Sequence, residues 1–173
     1  MRRTLAVALI AATGVPMLTA CSPVRRGATG MTLDAAGRPA AVVAWCPGKP
    51  PSALVLYDHN ERNPDNADTT VHFTGPKPSG TYAEIPLTAL PAGWTAKPSA
   101  FTITSSREYR VYAGSSDNDY TTDAVVFTTE RLRPRGPATI LARVDPAKPA
   151  DHDVYELLTV EEFKRLAQKR GGC

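Results

Sequence analysis

The chain is poor in the residues from which most active sites are built. Its 173 residues hold three histidines, three cysteines and two tryptophans, and aromatics make up only 7%. No G-x-S-x-G, H-E-x-x-H, S-x-x-K or glycine-rich phosphate loop occurs, so no sequence-local nucleophile, zinc or nucleotide site is present. The lack of C-x-x-C, and of any Cys/His pair at ligand spacing, argues against a metal or redox centre. No cofactor is implied. Charge of one sign is also scarce. Lys+Arg number 20 against 17 Asp+Glu, a net charge of only +3, and no basic patch argues for nucleic acid. No apolar run reaches the roughly 20 residues of a spanning helix. There is no internal repeat and no low-complexity run.

What is present begins at the N-terminus. Arg2 and Arg3 precede an apolar stretch of 14 residues, Leu5 to Leu18, which Gly14 and Pro16 interrupt. This is the charge layout of a signal peptide. Leu18-Thr19-Ala20-Cys21 closes the stretch and resembles the lipobox of bacterial lipoproteins. An ordinary secretory cut prefers small residues first and third before the cut. Ala20 fits that rule and Leu18 does not.

The resemblance implies that residues 1–20 are a cleaved signal peptide and that diacylglycerol alkylates the Cys21 thiol. Plain secretion and an uncleaved anchor are the alternatives. Two acyl chains hold stably where one holds marginally, each buried methylene being worth about 0.8 kcal/mol. The protein is then extracytoplasmic, and its partner through Cys21 is the cell membrane. Residues 21–30 read as a flexible lipidated tether. Its nine residues after Cys21 span about 30 Å at most. Arg25 and Arg26 are either solvated or add about 1 kcal/mol each at an anionic surface, reduced by salt.

Removing 20 residues leaves 153 of 173, enough for one domain with a real core. Loss of Arg2 and Arg3 lowers the basic count from 20 to 18 against 17 acidic residues, so the remaining chain is almost neutral. With Cys21 lipidated, Cys46 and Cys173 remain. An even number of thiols in an oxidising compartment fits a disulfide. The alternative is a buried Cys46 and a frayed terminal thiol.

Sixteen prolines are scattered through the chain, which disfavours long helices. Met31–Leu33 reads as a short strand, followed by a turn at Asp34 to Pro39. Ala40–Cys46 is apolar on both faces and reads as a central strand. Ala53–Tyr57 is a second apolar run, and Tyr82–Leu87 a weaker one. Val71/Phe73, Phe101/Ile103 and Tyr109/Val111/Ala113 alternate with polar neighbours, which is strand periodicity. Ala124–Thr128 and Ala138–Val144 complete the set. Strand number and turn spacing predict an all-β domain over 31–173, an antiparallel Ig-like β-sandwich of seven or eight strands.

One helix is predicted over 159–170. Thr159 and Glu162 form a capping box, and Leu158 and Phe163 are placed for a hydrophobic staple. Phe163, Leu166 and Ala167 share its apolar face. Lys169 and Arg170 suit the C-terminal dipole, and Gly171 suits the C′ position.

Candidate site residues are sparse. His59, His72 and His152 could serve a hydrolase only if the fold brought one of them to a carboxylate and a nucleophile. Residues 58–68 carry several oxygen ligands but lack EF-hand spacing. They read as a calcium loop or, more simply, as a solvated turn. Residues 115–120 read as a binding loop or as a tight turn. Trp45 and Trp94 suit core packing better than a sugar platform.

The Asp34…Gly37-Arg38-Pro39 turn before a strand ending in cysteine, the Asp117-Asn118 loop before Val125 to Thr128, and the capped helix ending in cysteine together resemble small secreted lipoproteins of high-GC Gram-positive bacteria. Tyr120 departs from that group, which has tryptophan there. The resemblance implies the anchor and the disulfide, and no activity. The expected function is a non-catalytic interaction module at the cell surface, with an envelope protein or the cell wall as partner. A small-ligand or cell-wall-glycan binder, with Trp94 or Tyr120 exposed in a groove, is the alternative. A hydrolase comes third.

Overall fold

A strand that is apolar at every position must be covered on both faces. Pro39–Trp45 meets that demand, because no residue from Ala40 to Trp45 is more than 2% exposed. Ala41, Val43 and Trp45 face the main core, whereas Val42 and Ala44 face a second cluster that includes Phe163 and Ala167.

The computed structural model describes residues 23–60, 69–134, 139–144 and 154–173. In chain order the strands are β1 Val24–Leu33, β2 Pro39–Trp45, β3 Ala53–Asp58, β4 Thr70–Thr74, β5 Tyr82–Pro86 and β6 Thr95–Lys97. There follow β7 Tyr109–Gly114, β8 Tyr120–Asp123, β9 Val125–Phe127, β10 Ile140–Arg143 and β11 Tyr155–Leu158. A short 3-10 helix spans Thr129–Leu132, and helix α1 spans Val160–Gly171.

The strands pair into one mixed sheet that curls into a half-barrel. One arm runs β5–β2–β1–β10–β11 and the other β6–β4–β3–β7–β9. Strand β8 joins them. It lies parallel to β1 through Val24↔Tyr120 and Arg25↔Thr121, and meets β7 at Gly114↔Thr121. Met31, Val43, Leu56, Phe73, Val111 and Phe127 fill the space between the arms. Helix α1 covers the outer face of β1, β2 and β10.

The β-rich class and the single C-terminal helix agree with the sequence reading. The purely antiparallel Ig-like sandwich does not describe the pairing, because β1 and β8 are parallel and β8 links both arms. The tether also ends earlier than expected. Ala28, Thr29, Gly30 and Met31 are buried opposite β2, so the sheet starts at Val24 and not after Gly30. Gly30 is there because a Cβ would sit 2.6 Å from the Ile140 side chain and 3.1 Å from Phe163. Phe101 and Ile103 alternate like a strand but form no ladder; they pack half-buried against the main core.

Thr159 caps α1 as predicted. Its hydroxyl accepts from the Glu162 N–H at 3.3 Å, and Glu162 Oε2 accepts from the Thr159 N–H at 2.8 Å. The left-handed residue at the other end is Gly172 (φ 68°), one position later than expected. Gly171 remains helical and buried. A Cβ there would lie 2.3 Å from Cys46 Sγ. That close approach seats Cys46 against Cys173, with an S–S separation of 2.18 Å and Cα atoms 5.7 Å apart.

Two predictions follow from these contacts. The bridge joins residues 127 apart, and loop-closure entropy makes such a link worth about 5 kcal/mol before native strain. Cys173→Ser should lower the unfolding free energy by about 2–5 kcal/mol in urea titrations; an unchanged midpoint would exclude a stabilising bridge. The second concerns acid. Hydrogen bonds from the Thr159 backbone and hydroxyl hold the Glu162 carboxyl below its ordinary 4.5. A depressed carboxyl adds stability above its unfolded value and loses it as pH falls through the folded one. Below pH 4.5 the wild type should therefore lose stability more steeply than Glu162→Gln, as read by thermal midpoints at stepped pH.

Candidate functional site

Strand alternation sends Val111 and Ala113 into the core and Arg110 and Tyr112 to the outer face of β7. On the neighbouring strand Leu56 points inward, and Tyr57 lies opposite Arg110. Where β8 crosses between the arms, this outer face becomes a wall of a cleft of about 270 Å³. Arg25 of β1 and Arg143 at the end of β10 complete the lining, with Pro23 at its edge and Thr121 and Asp123 from β8. Three guanidinium groups from three strands thus share one cleft.

Asp123 is the single carboxylate among the described lining residues, and it is only 3% exposed. A buried charge is costly unless paired. Arg170 of α1 pairs with its Oδ2, and Arg25 stands 3.1 Å from Oδ1. The Arg25 contact is charge proximity without hydrogen-bond alignment. The two arginines differ in environment: the Arg170 side chain is 7% exposed and that of Arg25 56%.

The threonines beside Asp123 are already engaged. Thr121 Oγ1 donates to the Ala113 carbonyl at 3.1 Å, and the Ala113 N–H donates to Thr29 Oγ1 and Thr122 Oγ1 at 3.1 and 3.0 Å. These hydroxyls serve backbone that the ladder leaves unpaired at the corner. Among the described residues the cleft thus brings three arginines and one paired carboxylate into a single lining.

The residues expected to carry function fare differently. Cys46 and Cys173 come together, while Cys21 lies outside the described residues. His72 is exposed on β4, His59 is half-buried after β3, and His152 lies outside the described residues. Of the 58–68 loop only residues 58–60 are described. There Asp58 accepts from the Asn60 N–H at 3.0 Å and pairs with Arg107 at 3.2 Å. Among the described residues no group of three or more His, Cys, Asp or Glu could hold a metal.

The 115–120 segment is a self-satisfied turn. Asn118 is left-handed (φ 61°), and Ser115 Oγ accepts from the Asp119 and Tyr120 N–H groups. The Ser115 hydroxyl also holds the Asp117 carboxyl below its usual range. Tyr120 is 6% exposed and its hydroxyl donates to the Pro50 carbonyl, so it is no open platform. Burial, with Asp117 and Asp119 nearby, pushes its phenol up. Trp45 and Trp94 are buried as expected, and Trp94 stacks so closely over Gly75 that a Cβ there would lie 2.3 Å from the indole.

Sequence reasoning missed Arg25, Arg110, Arg143 and Asp123 as a group. The alternation around Arg110 marked its outward face, but no local signal linked it to Arg25 or Arg143. Comparison with known proteins finds no match to a family model, to a curated protein or to a solved structure.

The exposures separate two effects at Asp123. Asp123→Ala leaves Arg170 buried without its partner and should cost about 3–5 kcal/mol. Arg25→Gln removes a largely solvated partner and should cost under about 1 kcal/mol. Equal losses in urea titrations would show that burial does not distinguish the two contacts.

Proposed function

We propose that the chain is a lipid-anchored, extracytoplasmic, non-catalytic binding module that presents its arginine cleft at the membrane surface. The observation that carries this reading is the seating of Cys46 against Cys173. The chain has three cysteines, so this pairing leaves Cys21 as the one available for acylation. A bridge of this kind fits an oxidising compartment. The lipobox resemblance at Leu18 to Cys21 supplies the chemistry of the anchor, and the cell membrane is its partner.

The early start of β1 strengthens the surface role. Only Ser22 and Pro23 separate Cys21 from Val24, a reach of about 10 Å where the longer tether would have allowed about 30 Å. Pro23 and Arg25 belong to the cleft itself. A diacylated Cys21 holds that cleft against the headgroup layer.

Of the alternatives, a small-ligand binder now has the cleft as its site. A glycan platform built on Trp94 or Tyr120 is disfavoured by their burial. In cells, Cys21→Ala should move the protein from the membrane fraction to the soluble extracytoplasmic fraction and abolish labelling by a palmitate analogue. Membrane retention of that variant would overturn the anchor.

A further inference from the structure

We infer that the first end of β1 is a lipid-contact surface, with Val24 set into the headgroup layer of a phospholipid membrane. The contact rests on the reading of Cys21 as the acylated residue, and it adds an orientation of the domain that an anchor alone does not give.

Among the described residues Val24 is the only large hydrophobic residue that is exposed, at 53%. A single exposed valine is ordinary on a protein surface. Its position in the chain is what gives it meaning. Val24 opens β1, and only Ser22 and Pro23 separate it from Cys21. Three residue steps place the Val24 Cα within about 10 Å of the Cys21 Cα. The headgroup region on each side of a bilayer is about 5–8 Å deep. A cysteine whose thiol carries diacylglycerol is held at the inner border of that region. Val24 is then confined to the headgroup layer or its outer margin.

The surroundings of Val24 make this contact apolar. Val24 lies opposite Tyr120 in the parallel pairing of β1 and β8. The exposed Lys49 places its Nζ 6.0 Å from the Tyr120 ring centroid. Asp117 and Asp119 act on the same tyrosine, so charges of both signs surround it. Arg25 is paired with Asp123, and the Arg26 guanidinium donates to the Gly171 carbonyl. What this end offers to lipid is the burial of an uncharged side chain.

The opposite end of β1 has a different character. The strand has ten residues, about 30 Å of chain. Its far end enters the turn from Asp34 to Arg38, which is closed by the Asp34–Arg38 ion pair and has no exposed large hydrophobic residue. The domain therefore stands on Val24 and directs that turn away from the membrane.

The test uses the mature chain purified from the membranes of producing cells. Intact mass of each protein reports whether Cys21 carries acyl chains. The proteins are reconstituted on phosphatidylcholine vesicles, whose surface has no net charge. Val24→Trp is compared with Ala36→Trp after subtraction of the wild-type signal from the buried Trp45 and Trp94. Quenching by brominated phospholipid should be at least about twofold stronger for Val24→Trp, since an interfacial indole lies at headgroup level. Tryptophan has its own affinity for the interface, so Val24→Asp tests the native contact. It should speed transfer of the acylated protein between vesicles at least about threefold, through loss of the valine's burial. Ala36→Asp should leave transfer unchanged, and unfolding midpoints establish that every variant is folded. Equal quenching at the two positions, or transfer of Val24→Asp at the wild-type rate, would overturn the contact while an acylated mass still supports the anchor. A mass without acyl chains would overturn both.

Discussion

The carboxylate of Asp123 has to be neutralised where it lies, and much of the architecture is arranged around that requirement. It sits on β8, the strand that joins both arms of the sheet. Its partners come from opposite ends of the chain, Arg25 from β1 and Arg170 from α1. Such a buried pair adds little net stability over a well-packed apolar substitute, but removing one partner is costly. Its effect is to hold one arrangement of three elements. The Thr29 and Thr122 hydroxyls, which contact each other, meet the Ala113 N–H at the same corner. The Cys46–Cys173 pair lies close by, with the Arg26 guanidinium donating to the Gly171 carbonyl at 3.3 Å. Charge, hydroxyl and sulfur contacts thus converge where the first strand meets the last helix.

This convergence accounts for what could be read in the sequence. Ala40 to Trp45 is apolar on both faces because core lies on one side and helix on the other, so its central position was legible. The capping box at Thr159 and Glu162 is a local device and was legible for the same reason. The cysteine count was informative through pairing logic alone. The start of β1 was not legible, because Arg25, Arg26 and Gly27 have the composition of a tether. Gly27 and Gly30 are set by close approach of β2 and of Ile140 and Phe163, contacts with residues that come later in the chain. Strand β8 was hidden for a related reason. Thr122 and Asp123 are polar, and their burial becomes tolerable only through partners on other elements.

The cleft shows the same division more sharply. Arg110 and Arg143 are unremarkable in their own segments, Arg25 stands out only as part of a tether, and the near balance of total charge argues against a basic surface. Local charge is a property of the fold. Strand pairing brings positions 25, 110 and 143 to one place, beside Asp123. The outward alternation at Arg110 and Tyr112 was visible, but which outward residues share a neighbourhood depends on the β8 crossing. Composition therefore described the molecule's average charge and missed this local grouping of side chains.

Strand β1 also sets the order in which the structure can be completed. It is the first strand in the chain, yet it pairs with β8 and β10 and is roofed by α1, the last element. Contacts of such sequence separation close slowly, because the loop entropy is lost before the contacts form. The outer sides of β1 and β2 stay bare until Phe163 and Ala167 arrive. A chain growing or threading from its N-terminus thus carries an unfinished sheet along nearly its whole length. Assembly is then a late event that waits for α1 and Cys173.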